Sequence, residues 1–505
     1  MARLAIDDYN PDIVTIICCN DSFQRALDHN TIKILLRVCK RARPLLSSKV
    51  PRFHRWYQSM ELLNPDGQMR VGLTPSDEIA ISLHCDDPVT ADRSWLEDNA
   101  TDDRSWLVAQ ADHGNTAASY FLARVLQSEI GVQRYLTWFE LNPTPPRIFY
   151  HLKNAAEGQH SMAQFHLAQC YRNGIGVEQS PAKAVELYRS LADRGMAQAQ
   201  VALGGCFEGG EGVEQDYTTA IGWYSKAADQ GNEDGRLHIM FLRGWLSFIG
   251  HGVEQSDKDA FQSWQETSTQ STNPVVKPIA THMVGWMHYL GRGTMRDEKK
   301  GIKMIRENRS NEFPLGEGEC LTPSYWGAMS NSPAPRKFFN LCQLGSDRDW
   351  LCRHLMALCM LFGFGTTPEV EKAAGIFEHL ANQGHSDSQL WIGDCYYHGL
   401  GVTHDKERGF QWYSNSANQG NSYGQWMVGH CYYHGSGVPK DYAKAVEWFR
   451  KSAEQDNRYA QGDLGECYKH GRGVPQNIDS AVFWYRKSAD QGFDFAIAKL
   501  NELGL

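Results

Sequence analysis

Residues 426–438 read Trp426-Met427-Val428-Gly429-His430-Cys431-Tyr432-Tyr433-His434-Gly435-Ser436-Gly437-Val438, and 36 residues earlier stands Leu390-Trp391-Ile392-Gly393-Asp394-Cys395-Tyr396-Tyr397-His398-Gly399. A further 36 residues on comes Leu464-Gly465-Glu466-Cys467-Tyr468-Lys469-His470-Gly471. Cys170-Tyr171 and Cys206-Phe207 repeat the same spacing. Leu464, Cys467 and Tyr468 fall at i, i+3 and i+4, one face of a helix. Each copy runs into a G-x-G-V turn, from Gly174/Gly176/Val177 to Gly471/Gly473/Val474. Glycines there supply positive φ and stop the helix. Pro439 and Asp441 mark the next start, with Asp441 as an N-cap.

A second helical pattern follows, Ala445-Val446-Glu447-Trp448-Phe449 in one copy and Ala481-Val482-Phe483-Trp484-Tyr485 in the next. It ends in Ala-x-Gln-Gly or a relative, as at Ala228–Gly231, Ala417–Gly420 and Ala489–Gly492. One such hairpin cannot bury its own apolar face, so copies must stack. The expected fold is all-α, a solenoid of helix-turn-helix repeats with a small helical N-terminal region. Residues 109–505 should be helical in antiparallel pairs. The expected divisions are an N-terminal region (1–90), a first, partly degenerate repeat set (91–310), a distorted repeat or hinge (311–345), and a second repeat set with a C-terminal capping helix (346–505). Four prolines, Pro314, Pro323, Pro333 and Pro335, suggest the hinge. Asn142–Pro146 is expected as an insertion before a second helix.

The elements Ala460–Val474 and Trp223–Gly231 resemble the Sel-one-like (Hcp-like) repeat, a relative of the tetratricopeptide repeat. The resemblance implies a right-handed α/α superhelix that presents protein-binding surface. In the N-terminal region, Asn10-Pro11-Asp12-Ile13 and the later Leu35-Leu36-Arg37-Val38-Cys39-Lys40 resemble an F-box over residues 8–46. That likeness implies that Pro11, Ile13, Leu35 and Val38 pack the unit or contact a Skp-type ubiquitin-ligase adaptor. It departs from the family in a longer Pro11-to-Val38 distance and in Ala42, where tryptophan is common. The plainer alternative is a helical cap on the first repeat. The pair Asp92–Leu96 and Asp103–Leu107 places Trp95 and Trp106 on one helix face for packing.

The net charge of -9 argues against a general nucleic-acid binder. Eight Lys/Arg and no Asp/Glu lie between residues 29 and 60, a patch for an acidic partner or nucleic acid on one reading and a solvated helix face on the other, which the interleaved Leu35, Leu36 and Val38 favour. No apolar run approaches a membrane span, and Asp7, Asp8 and Asp12 fit poorly with a leader. The 13 cysteines include no C-x-x-C pair, which points to reduced thiols in a cytoplasmic or nuclear protein. The cysteine column Cys170, Cys206, Cys395, Cys431 and Cys467 is expected to be buried and unpaired, since stacked repeats hold equivalent thiols too far apart to share a metal.

A second column comprises Asp394, His398, His430, His434, Glu466 and His470, expected on one accessible side as a partner-binding strip. His430 and His434 have a zinc-compatible spacing, but no third ligand is evident, and a cation at a helix C-terminus is favourable on its own. No catalytic or phosphate-binding motif occurs, so no enzyme, cofactor or metal is expected. The expected function is a protein-binding adaptor or scaffold. The alternatives are an F-box-type substrate receptor of a cullin–RING ubiquitin ligase, and a regulatory partner of membrane machinery such as chitin synthase or endoplasmic-reticulum-associated degradation. A hydrolase or metal-dependent enzyme is the remote one.

Overall fold

The computed structural model describes residues 105–132, 144–322 and 329–505, together with Asp77 and Ile81. The F-box-like residues Pro11, Ile13, Leu35 and Val38, and the Trp95/Trp106 side chains, lie outside the described residues. Among those described there are 22 helices and no strand, only an isolated bridge between Ser330 and Phe364. The chain divides into two compact units between Gly235 and Arg236. The expected hinge at 311–345 falls inside the second unit.

Each regular repeat is built as its residues dictate. In one copy the Ser422–His434 helix ends at Gly435 (φ 71°), whose N–H donates to the Cys431 carbonyl. Asp441 then opens the Tyr442–Glu454 helix by accepting the Lys444 N–H at 3.0 Å. The second turn glycine has a further duty. A Cβ on Gly437 (φ 68°) would stand 2.1 Å from the Lys406 carbonyl oxygen, at the start of the preceding repeat's second helix. Gly473 meets Tyr442 in the same way. This glycine is therefore where successive repeats touch backbone to backbone.

The Ala-x-Gln-Gly ending also has a reason. Gln419, Gln455 and Gln491 donate to Gln389, Gln425 and Gln461 at 2.6, 2.7 and 2.9 Å. Those three glutamines donate in turn to the carbonyls of Ala381, Ala417 and Ala453. Gln230, Gln200 and Ala192 form the same chain in the first unit. One amide ladder thus satisfies a carbonyl at each second helix's end and ties it to the next repeat.

The cysteine column is buried and free, with Cys395, Cys431 and Cys467 fully inaccessible. Burial pushes the Cys431 thiol up to about 12, which keeps it an inert packing group. Of the expected insertion at 142–146, Thr144, Pro145 and Pro146 instead form the first turn of the Thr144–Glu157 helix. Proline is tolerated there because those N–H groups have no intrahelical partner. Pro333 opens the Pro333–Gly345 helix likewise. The last helix of the chain is Asp494–Glu502.

Candidate protein-binding surface

In the second unit, the first helices of the last three regular repeats are Ser386–His398, Ser422–His434 and Arg458–His470. Their N-terminal ends do not face solvent. They receive residues 308–322, the segment that follows the Glu298–Glu307 helix. Phe313 and Leu315 are fully buried. Glu317, at the start of the single turn Glu317–Cys320, is held from three sides. Tyr423 donates its hydroxyl at 2.8 Å, Arg306 its Nε at 2.6 Å, and the Arg458 guanidinium lies 3.1 Å away. Arg306 also donates to the Gln491 carbonyl, and Trp391 donates its indole N–H to Cys320. Next to this, Asp387 accepts from Tyr289 and Asn421. Residues 311–322 of the expected distorted repeat or hinge thus pack as part of an insert at 308–322. Two buried apolar side chains alone contribute about 1.5–3 kcal/mol each to holding it.

The C-terminal ends of the same helices carry the sequence-predicted strip, and its six members divide into two kinds. His398, His434 and His470 are exposed, one per repeat. Asp394 is buried and accepts the Tyr413 hydroxyl at 3.3 Å. Its burial corrects the expectation that all six side chains are accessible: the carboxylate is consumed by packing. Glu466, half-buried, accepts the Tyr485 hydroxyl at 2.6 Å. In the middle repeat both partners change together, and His430 and Phe449 stand where the flanking copies have an acid and a tyrosine. With phenylalanine at 449, an acid there would lack the hydroxyl donor that Asp394 and Glu466 have. His430 is lowered to about 4 by burial, and His434 and His398 add to the shift. Both acids also face their own histidine, with Asp394–His398 and Glu466–His470 each at 3.3 Å.

The first unit has other residues at the histidine position, Asn173 and Gly209. The strip is therefore a property of the C-terminal repeats. The His430 and His434 rings lie 4.3 Å apart between centroids. Among the described residues, no group of three or more His, Cys, Asp or Glu is placed to hold a metal ion. Nor is any helix among them long and apolar enough to cross a membrane.

The family model of the Sel1 repeat matches residues 161–196, 197–232, 278–306, 351–385, 386–421, 422–457 and 458–493. No curated protein matches the chain. Among solved structures, a protective antigen of uropathogenic Escherichia coli displaying an SLR fold is 25% identical, with 85% of this chain and 88% of that one covered and a TM-score of 0.36. A Sel1 repeat protein from Oxalobacter formigenes is 24% identical over 82% of this chain and 92% of that one, with a TM-score of 0.30. By these matches, the chain carries seven Sel1 repeats between residues 161 and 493.

Proposed function

We propose that this chain is a non-enzymatic protein-interaction scaffold whose partner lies along the C-terminal ends of the first helices in residues 386–493. Sel1 repeats generally serve as protein-interaction scaffolds, which supports the first part. One observation carries the second. The chain's own insert fills the N-terminal half of that face, while His398, His434 and His470 stand exposed along the other half at a 36-residue spacing. Many modest contacts along such a row sum to a stable interface.

The test is affinity capture with the full-length chain beside a His398→Ala/His434→Ala/His470→Ala variant. Asp394 and Glu466 are left intact, because they anchor tyrosines. Partners recovered by the native chain should be lost, or bind roughly tenfold more weakly, with the variant. Equal recovery by both chains would make the strip structural only.

The resemblance at Pro11, Ile13, Leu35 and Val38 supports a sharper version, in which the N-terminal region grips a Skp-type adaptor and the repeats select a ubiquitin-ligase substrate. Full-length chain should then capture that adaptor, and Leu35→Asp should abolish capture without altering the helical signal. No adaptor bound by the native chain leaves the scaffold without the ligase.

A further inference from the structure

We infer that the edge around His434 binds an acidic segment of the partner protein. This deepens the scaffold reading and rests on it.

The chain as a whole is acidic, with a net charge of -9, yet this edge is cationic. The Lys440 ammonium sits 5.1 Å from the centre of the Tyr442 ring. The Arg472 guanidinium, from the next turn, sits 5.5 Å over Tyr433 and donates to its hydroxyl. The two tyrosine rings meet edge to face at 5.2 Å, and His434 lies 4.9 Å from Tyr433. Lys440, Arg472 and His434 are all exposed. One repeat earlier Lys406 stands 5.2 Å over Tyr397, which in turn touches His398 at 4.8 Å.

Two of the carboxylates nearby are already engaged. Asp441 caps the Tyr442–Glu454 helix. Glu466 accepts from Tyr485 and faces His470. The helix dipole accounts for a cation at each first helix's end. It does not account for cations from two successive turns converging on one tyrosine pair. Ring faces hold those cations in place without neutralising them, so their charge remains available. A segment of a partner rich in Asp or Glu fits this edge by charge. Its carboxylates would meet Lys440 and Arg472, and its backbone or apolar side chains would lie against Tyr433 and Tyr442.

The experiment titrates the full-length chain into a short fluorescein-labelled poly-glutamate peptide and reads anisotropy. Saturable binding is expected, weakening as salt is raised. The Lys440→Glu/Arg472→Glu chain should bind roughly tenfold more weakly while keeping the native melting temperature, and labelled poly-lysine should not bind. If that variant fails to fold, Lys440→Gln/Arg472→Gln removes the charge without reversing it and should still weaken binding several-fold. No binding by the native chain, or equal binding by the charge variants, overturns the proposal. A partner captured by the native chain, lost on substitution of the three histidines, but unaffected by the charge variants, overturns the acidic-segment proposal and leaves the scaffold intact.

Discussion

Gly437→Ala should destabilise the second unit by about 2–5 kcal/mol, lowering its urea-unfolding midpoint far more than Gly435→Ala does. Both glycines have positive φ, 68° and 71°, so both substitutions incur the left-handed penalty of about 1–2 kcal/mol. They differ in what a methyl group would meet. At Gly435 the nearest atom is the Lys440 Cβ at 3.2 Å, a contact that a shift of a few tenths of an ångström within the same turn relieves. At Gly437 it is the Lys406 carbonyl oxygen at 2.1 Å, followed by the carbonyl carbon at 2.6 Å. That backbone belongs to the first turn of the preceding repeat's second helix and moves only if the two repeats part. Gly401→Ala and Gly473→Ala should behave like Gly437→Ala, since a Cβ there also runs into the preceding second helix, at Val370 and Tyr442. Equal midpoints for Gly435→Ala and Gly437→Ala would show that the repeats do not depend on this contact.

What the sequence made legible was whatever recurs. A 36-residue column of glycine, cysteine and aromatic residues states its own packing, because every copy must satisfy the same neighbour. The cysteine burial, the αL caps and the Asp441 N-cap all follow from that column. The glutamine at the end of each second helix was visible too, but its purpose was not. Its partner stands 30 residues earlier, on a different helix, and nothing in a column reveals which column it touches. The strip was half legible for a related reason. Helical spacing put Asp394 and Glu466 on the side of the histidines, but only the phenols of Tyr413 and Tyr485 show that these acids are occupied. The exchange to His430 and Phe449 records the pairing in the sequence, once one knows to compare positions 19 residues apart. The insert at 308–322 was illegible. It has no period, it occurs once, and its prolines and glycines read as irregular chain.

Glu317→Ala should cost about 3–5 kcal/mol and release that insert. The carboxylate is inaccessible and bound by Arg306, Arg458 and Tyr423. Removing it leaves two guanidinium groups crowded without their shared anion and a buried phenol without its acceptor. Tyr423→Phe removes one neutral donor and keeps both ion pairs, so its cost should be nearer 1 kcal/mol. The contrast separates the charge cluster from simple packing. Limited trypsin digestion gives the structural readout, because Arg309 pairs with Glu319 in the insert. In the native chain, cleavage there should be slow. In Glu317→Ala it should be rapid, since release of the insert frees the already exposed Arg309–Ser310 bond to extend into the protease, while the repeats at 386–493 stay helical. The released insert would also uncover Trp391, Tyr423 and Arg458, enlarging the open part of the first-helix face. A Glu317→Ala chain that melts like the native protein and resists trypsin at Arg309 would show that Phe313 and Leu315 alone hold the insert in place.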